Sequence, residues 1–158
     1  MARNGVILLV EDNADDAALI IQTLQQNHPD ITIKHAQDGA EALDCLFGTG
    51  QYAARQGPYT PHLILLDLQL PRVNGLEVVR IIKSYVRTRT IPIVIFTDSP
   101  EERKVIEGYA LGANSYVVKP ADHEQYRETV RHIAAYWLAV NRAQDTEGTL
   151  ENDGSSAR

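Results

Sequence analysis

A short apolar run that ends in a carboxylate is the feature that most constrains this chain. Residues 63–66 are all leucine or isoleucine, and they are followed by Asp67 and, four residues further on, by Pro71. Such an unbroken run is typical of a strand buried on both faces, as in the middle of a parallel sheet. Because an unpaired buried charge costs several kcal/mol, Asp67 needs partners, and the ends of other strands can supply them.

Similar strand-like runs occur at four other places, covering residues 6–10, 31–36, 91–96 and 115–118, and a segment with helical periodicity follows each of the five strands. The fourth helix, which is predicted to begin near Glu101, carries the apolar residues Val105, Ile106 and Tyr109, and Gly112 is expected to end it. Alternating strands and amphipathic helices predict an α/β fold with a parallel sheet covered on both faces. Right-handed crossovers favour the doubly wound strand order 2-1-3-4-5.

The length, net charge and cysteine count limit the number of domains and the classes of function that this chain can have. The chain has 158 residues, and its 15 Lys and Arg against 21 Asp and Glu give a formal net charge of −6. We predict one domain over residues 1–143 and a disordered polar tail over residues 144–158. The acidic balance argues against nucleic-acid or anionic-membrane binding, and the single cysteine, Cys45, excludes an internal disulfide. The N-terminal apolar run is too short for a signal peptide, so a cytoplasmic location is expected.

Polar side chains follow four of the predicted strands. Glu11 and Asp12 follow the first strand, Asp67 the third, Thr97 the fourth and Lys119 the fifth. The carboxyl ends of parallel strands meet at one edge of the sheet, and ligands bind there at the point where the strand order reverses. We therefore expect three carboxylates, a hydroxyl and an ammonium group to lie together.

This combination of groups points to phosphoryl transfer. Three neighbouring carboxylates repel one another, and a divalent cation that prefers oxygen ligands, such as Mg²⁺, relieves that repulsion. An ammonium group such as Lys119 can neutralise one phosphate oxygen, and the Thr97 hydroxyl can donate to another. A carboxylate can also act as a covalent nucleophile toward phosphorus.

The segments at residues 9–13, 65–75, 95–97 and 112–120 resemble, in this order, four motifs of the receiver domain of two-component response regulators. These motifs are the acidic pair, the phosphoacceptor segment, the hydroxyl position, and the aromatic and lysine segment. The resemblance extends over residues 5–141. It implies a flavodoxin-like receiver fold and a phosphoacceptor protein rather than an enzyme with turnover.

The resemblance also implies roles for individual residues. Asp67 would accept a phosphoryl group from a histidine kinase. Asp12, Asp67 and the backbone carbonyl of Gln69 would hold Mg²⁺, and Glu11 would assist through a water molecule.

Further roles follow from the last two motifs. Thr97 and Lys119 would bind the phosphoryl oxygens, and Thr97 and Tyr116 would form a conformational switch. The family usually has a cis peptide bond before the proline that corresponds to Pro120. One departure is Asp98, where the family usually has a small residue. Its carboxylate could repel phosphate, pair with Lys119 or face solvent.

A narrower resemblance is to the small stand-alone regulators that are partnered with bacterial and cyanobacterial phytochromes. It depends on the Gly- and Pro-containing connection over residues 48–61, expected to be long and mobile, and on an extended last helix. It implies a phytochrome-type histidine kinase as partner. The polar tail leaves no room for a DNA-binding output domain, so the signal would pass to an unidentified downstream protein.

The last helix also predicts a homodimer. Residues 123–141 would extend about 28 Å, beyond a six-residue strand of about 20 Å. The end of the helix, at Trp137 and Val140, should therefore outrun the sheet and, with Tyr136, form a partner surface. The alternative is that the connection at residues 48–61 folds back and covers Trp137 and Val140.

Two other interpretations of the function, as an enzyme and as an interaction module, compete with that of a phosphorylated receiver. An aspartate-nucleophile phosphatase would want a second acid two residues after Asp67, where this chain has Gln69. A receiver-like interaction module with little or no phosphorylation would have lost Asp67 or Lys119, and both are present.

Overall fold

Five parallel strands form one sheet in the predicted order β2-β1-β3-β4-β5. The computed structural model describes residues 5–55 and 59–142. The strands are β1 (Val6–Val10), β2 (Thr32–Ala36), β3 (Leu63–Leu66), β4 (Ile93–Thr97) and β5 (Ser115–Val118). The helices are α1 (Ala14–Asn27), α2 (Gly39–Phe47), α3 (Gly75–Ser84), α4 (Glu102–Ala110) and α5 (His123–Ala134). The predicted doubly wound, flavodoxin-like architecture is confirmed.

Four of the five helices named above begin at a side-chain N-cap. Asn13, Asp38, Asn74 and Asp122 each accept a hydrogen bond from a backbone N–H in the first turn of the helix that follows. Such caps satisfy amide groups that otherwise lack a partner, and they are typically worth about 1 kcal/mol each. The caps of α1 and α3 lie in the connections that follow β1 and β3, so they help to shape the carboxyl edge of the sheet.

The sheet separates two apolar clusters. The cluster on one face packs α2 and α3 against the sheet, and the cluster on the other face packs α1 and α5. The central strand β3 is buried at every position, as the run at residues 63–66 predicts for a strand covered on both sides.

Helix α4 departs from the prediction. Ile106 is 61% exposed and Tyr109 50% exposed, and Gly108 is the one buried residue of this helix. A Cβ atom at Gly108 would lie 2.9 Å from the Cδ1 atom of Ile95, so the helix approaches the sheet closely at its glycine. Because β5 is an edge strand and partly exposed, it offers α4 a narrow surface, and these two apolar side chains are mostly open to solvent.

The described part of the connection at residues 48–61 packs on the α2/α3 face. It contains a short 3₁₀ helix at Gly50–Tyr52, and the rings of Tyr52 and Tyr59 contact the cluster on that face. Trp137 packs on the opposite face, against the α1/α5 cluster. The alternative in which this connection covers Trp137 is therefore wrong for its described residues.

The chain beyond α5 continues as a π-helical segment, Ala135–Val140. Tyr126, Val130 and Ile133 of α5 are buried. The expectation that Trp137 cannot reach the body of the protein is wrong, because its ring is half-buried on the α1/α5 cluster. Val140 is 70% exposed. The predicted tail at residues 144–158 lies outside the described residues, and none of the described helices is long and apolar enough to cross a membrane.

Candidate phosphoacceptor site

Asp67 lies immediately after β3, and the described structure surrounds its carboxylate with donors. The Oδ1 atom accepts hydrogen bonds from the Thr97 hydroxyl at 2.8 Å and from the Gln69 backbone N–H at 3.1 Å. The Oδ2 atom accepts one from Lys119 Nζ at 2.8 Å. Asp67 is 6% exposed, so these donors provide the partners that its buried charge requires.

Lys119 stands at the centre of a cluster of carboxylates. Its Nζ atom lies 2.6 Å from Glu11 Oε1, 2.8 Å from Asp67 Oδ2 and 2.9 Å from Asp16 Oδ2. Its side chain is 2% exposed, and its backbone N–H donates to the Thr97 carbonyl, which ties the end of β5 to the end of β4. The ends of four strands thus meet at one point, as predicted.

Burial and charge shift the titration of this cluster in opposite directions. Burial raises the pKa of Glu11 to about 7, with a further contribution from the neighbouring Asp67 charge, while Lys119 opposes the rise. Burial also acts to raise the pKa of Asp67, but the Lys119 ammonium, the Gln69 amide and the Thr97 hydroxyl outweigh it and hold that pKa below its usual value. The pKa of Lys119 is raised, because its carboxylate partners outweigh its own burial. Asp67 is therefore ionised and Lys119 charged at neutral pH.

One side of the cluster has the composition of a cation site. Glu11, Asp12 and Asp67 each offer a carboxylate oxygen, and these oxygens lie within 4.8 Å of one another. Asp12 is exposed, so it can meet a hydrated ion from solvent. A set of hard oxygen donors with one member open to water fits Mg²⁺, which keeps several of its water molecules when it binds.

The residues predicted to form the switch lie on the other side of Asp67. Thr97 is fully buried, and the Tyr116 hydroxyl donates to the Ser99 carbonyl at 2.7 Å. The Tyr116 ring is therefore attached to the connection that follows β4. Asp98, one residue after Thr97, is exposed and is not among the carboxylates that contact Lys119 in the described structure. The possibility that Asp98 pairs with Lys119 is thus wrong in this conformation.

Backbone packing holds the phosphoacceptor segment against α3. At Gly75, the first residue of α3, a Cβ atom would lie 2.5 Å from Leu68 Cα and 2.7 Å from the Asp67 carbonyl oxygen. Only glycine permits this approach, and Gly75 also donates its N–H to the Leu68 carbonyl at 3.1 Å. The peptide bond before Pro120 is trans, contrary to what the family resemblance implies.

Sequence reasoning missed Asp16 as a member of the site. Its position in the first turn of α1 explains its presence as a helix-stabilising acid, and that explanation hid its contact with Lys119. A signal was available, because Asp16 lies in the first turn of a helix that begins at the carboxyl end of β1, the edge where the other site residues were expected.

Comparison with known proteins agrees with this site. Residues 7–131 match the response regulator receiver domain, and the chain belongs to that family. The probable methanogenesis regulatory protein FilR2 of Methanothrix harundinacea is 38% identical over 138 residues, which cover 87% of this chain and 86% of the relative. Response regulator Rcp1 of Synechocystis sp. is 36% identical over 133 residues, which cover 84% of this chain and 88% of Rcp1.

Solved structures show the same relationship. The phosphorylated cyanobacterial phytochrome response regulator RcpA superposes with a TM-score of 0.85 at 34% identity, over 90% of this chain and all of RcpA. The Mn²⁺-bound form of Rcp1 superposes with a TM-score of 0.83 at 34% identity, over 89% of this chain and 99% of Rcp1. The chain therefore resembles phytochrome-associated response regulators over most of its length, and the Mn²⁺-bound relative is consistent with a divalent-metal site here.

Proposed function

We propose that this protein is a response regulator that accepts a phosphoryl group on Asp67 in the presence of Mg²⁺ and signals through protein–protein contacts. The observation that supports it best is the convergence of Lys119, Thr97 and two further carboxylates, those of Glu11 and Asp12, on the buried Asp67. A structural aspartate has no need of this combination, because one cation would satisfy it.

The contacts of Asp67 suggest how Asp67, Lys119 and Thr97 take part in phosphoryl transfer. An Asp67 oxygen attacks the phosphorus of a donor, a new P–O bond forms, and the bond to the leaving group breaks, so that an imidazole leaves a phosphohistidine donor and acetate leaves acetyl phosphate. Because both Asp67 oxygens are hydrogen-bonded in this conformation, Lys119 and Thr97 must transfer bonds to the incoming phosphoryl oxygens. These donors are already positioned where negative charge accumulates, which lowers the cost of reorganisation.

Glu11, Asp12 and Asp67 are the side chains that would hold Mg²⁺, and the Gln69 carbonyl is the proposed backbone ligand. The bound cation would neutralise charge on the transferring phosphoryl group. Asp12 is exposed and has no role in the core, so an Asp12→Ala variant should lose Mg²⁺ affinity while it keeps the fold.

The test of the phosphoacceptor is an Asp67→Asn variant, with Asp30→Asn as a control that makes the same change at an exposed position. Both are incubated with acetyl phosphate and Mg²⁺, and the intact mass is measured. The wild type and Asp30→Asn should each gain one phosphoryl group, and Asp67→Asn should gain none because its amide is not nucleophilic. Labelling of Asp67→Asn at the wild-type rate would contradict the assignment, and an unlabelled wild type would favour an interaction module instead.

We propose a phytochrome-type histidine kinase as the phosphoryl donor. The similarity to Rcp1 and RcpA over most of this chain supports this choice. Purified phytochrome-type kinases that have been autophosphorylated with labelled ATP should transfer label to wild type within minutes and leave Asp67→Asn unlabelled. Faster transfer from kinases of another sensor class would argue against the choice.

We also propose a homodimer through the segment that follows α5. Tyr136 is 49% exposed and Val140 70% exposed, and both lie beyond the part of α5 that packs on the sheet. Trp137 contacts the protein's own core, so a charge at that position would disturb folding as well as association. Val140→Glu is the cleaner variant, and Val86→Glu changes a residue that is 76% exposed elsewhere.

Sedimentation of both variants at tens of micromolar, with and without phosphorylation, tests the dimer. We expect Val140→Glu to sediment as a monomer and Val86→Glu to behave as the wild type. A wild type that is monomeric in every state would refute the dimer without bearing on the phosphoacceptor.

A further inference from the structure

The connection between β3 and α3, residues 67–74, lies against the start of α2. A Cβ atom at Gly39, the first residue of α2, would lie 2.3 Å from the Val73 carbonyl oxygen and 2.9 Å from Val73 Cβ. Only glycine permits an approach this close, so the two backbones are in direct contact. The β3–α3 connection is therefore held from the side of α2 as well as by Gly75 at the start of α3.

Arg72, within this connection, has a strained backbone conformation. Its φ angle is 69°, and it is the one non-glycine residue with a positive φ among residues 5–55 and 59–142. The Val73 N–H donates to the Pro71 carbonyl at 2.8 Å, so the chain closes a tight turn over Arg72 alone. A turn of this kind with a positive central φ is rare and costly, and the surrounding contacts must compensate for it.

The side chain of Arg72 supplies one compensating contact. Its Nη1 atom lies 3.3 Å from Asp38 Oδ2. The other oxygen of Asp38, Oδ1, accepts a hydrogen bond from the Glu41 N–H at 2.8 Å and caps α2, which fixes the carboxylate in place. The Asp38 side chain is 15% exposed, so Arg72 pairs with a rigid and largely shielded partner rather than with a mobile surface side chain.

The turn at Arg72 bears on the proposed metal site through Gln69, three residues earlier. The Gln69 N–H donates to Asp67 Oδ1 at 3.1 Å, so its peptide group lies beside the phosphoacceptor. Because Gln69 lies between the end of β3 and the turn, the geometry of the turn limits where the Gln69 carbonyl can point. A site whose competent geometry is populated only part of the time loses apparent affinity in proportion.

We propose that Arg72, through its ion pair with Asp38, is a positioning residue that holds the β3–α3 connection in the geometry that binds Mg²⁺. The inference rests on the proposed function, since it takes the Gln69 carbonyl as a ligand of the cation. Asp38 and Arg72 are 34 residues apart, and their pair joins the connection after β2 to the connection after β3. Arg72 acts through the backbone of its connection and not by contact with the metal.

The test uses variants of the full chain that break the pair from either side. Asp38→Asn removes the negative charge, and because asparagine caps a helix about as well as aspartate, the start of α2 is retained. Arg72→Gln removes the positive charge and keeps a long polar side chain. Arg72→Lys is the conservative variant, because its ammonium group can still pair with Asp38. Asp30→Asn and Arg89→Gln are matched controls that remove the same charges at exposed positions elsewhere.

Mg²⁺ alone is the probe, titrated into each protein in a calorimeter at physiological ionic strength. We expect Asp38→Asn and Arg72→Gln each to bind it about threefold more weakly than the wild type, within the range of a surface ion pair. The double variant should also lose about threefold rather than about ninefold, because both substitutions remove one contact. Arg72→Lys and the two controls should stay within about 1.5-fold of the wild type.

The direction of the two shifts separates positioning from a simple effect of charge. Loss of a nearby negative charge weakens the binding of a cation, and loss of a nearby positive charge strengthens it. Charge alone therefore predicts opposite shifts for Asp38→Asn and Arg72→Gln, whereas loss of positioning predicts two losses. Urea unfolding in EDTA establishes the conditions in which every variant is folded, and the titrations are made there.

Labelling by acetyl phosphate gives a second readout. With limiting Mg²⁺, Arg72→Gln should be labelled about threefold more slowly than the wild type, and with saturating Mg²⁺ at the wild-type rate, because the bound cation then holds the connection in place. Unchanged or tighter Mg²⁺ binding by Arg72→Gln, or labelling that stays slow at saturating Mg²⁺, would overturn the positioning role alone. A wild type that binds no Mg²⁺ or gains no phosphoryl group would overturn the proposed function, and this inference with it.

Discussion

Removal of the Lys119 charge should show how much the Lys119 ammonium group contributes to the free energy of unfolding. In a Lys119→Met variant the side chain keeps its unbranched shape, but Glu11, Asp16 and Asp67 lose their shared donor. The side chains of Glu11 and Asp67 are 2% and 7% exposed, so two carboxylates remain buried with no cation. Breaking a buried ion pair by removing one partner costs about 3–5 kcal/mol, and we expect a loss in this range without divalent metal.

Added Mg²⁺ should restore a large part of that loss. The cation supplies positive charge to the same carboxylates, so it binds the folded variant and stabilises it by mass action. The variant should gain more from the metal than the wild type does, because its carboxylates are less well neutralised.

The assay is urea unfolding at pH 7.5, in EDTA and then with excess Mg²⁺. Lys104→Met is the control, because Lys104 is half-buried and pairs with the exposed Glu101 at 3.9 Å, so its removal should cost less than about 1 kcal/mol. A loss in Lys119→Met no larger than the loss in Lys104→Met, or a loss of equal size with and without Mg²⁺, would refute the reasoning.

Three further predictions concern pH, the charge of Asp98 and the switch. In the metal-free protein the pKa of Glu11 is raised from 4.5 to about 7, so folding binds a proton and the free energy of unfolding should fall by up to about 3 kcal/mol as pH rises through that window. Glu11→Gln should remove this slope, and a slope unchanged in that variant would exclude Glu11 as its source. Asp98→Ala should be phosphorylated faster by acetyl phosphate, with a smaller gain at high salt because Asp98 is exposed; equal rates at low salt would mean that its charge has no effect. Phosphorylation should move the Thr97 hydroxyl toward a phosphoryl oxygen and change the surroundings of the Tyr116 ring, and NMR spectra that leave both residues unmoved would count against a switch.

Much of the fold could be predicted because it depends on local patterns. The run at residues 63–66 is apolar at every position, and only a strand covered on both faces makes use of such a run. Once five such strands alternate with helices, the handedness of the crossovers leaves few topologies. The carboxyl ends of parallel strands then coincide, so the meeting of Glu11, Asp67, Thr97 and Lys119 followed from chain order alone.

Other features depended on distances that no sequence pattern contains. The period of α4 indicates a buried face, but the partly exposed edge strand β5 cannot cover it, so Ile106 and Tyr109 remain in solvent. The length of the last helix suggested that Trp137 would be exposed, whereas the chain changes to a π-helical segment and the ring reaches the α1/α5 cluster.

The sequence by itself determined the parallel sheet, its order and the strand ends that form the site, because strand burial, helix period and crossover handedness are local or topological properties. Only the tertiary structure decided that Lys119 has Asp16 as a third partner and that the ring of Tyr126 is buried against Phe96. Asp16 and Lys119 are 103 residues apart in the chain. Their contact depends on how α1 and α5 are placed against the sheet, and that placement is set by side-chain packing across the whole α1/α5 face.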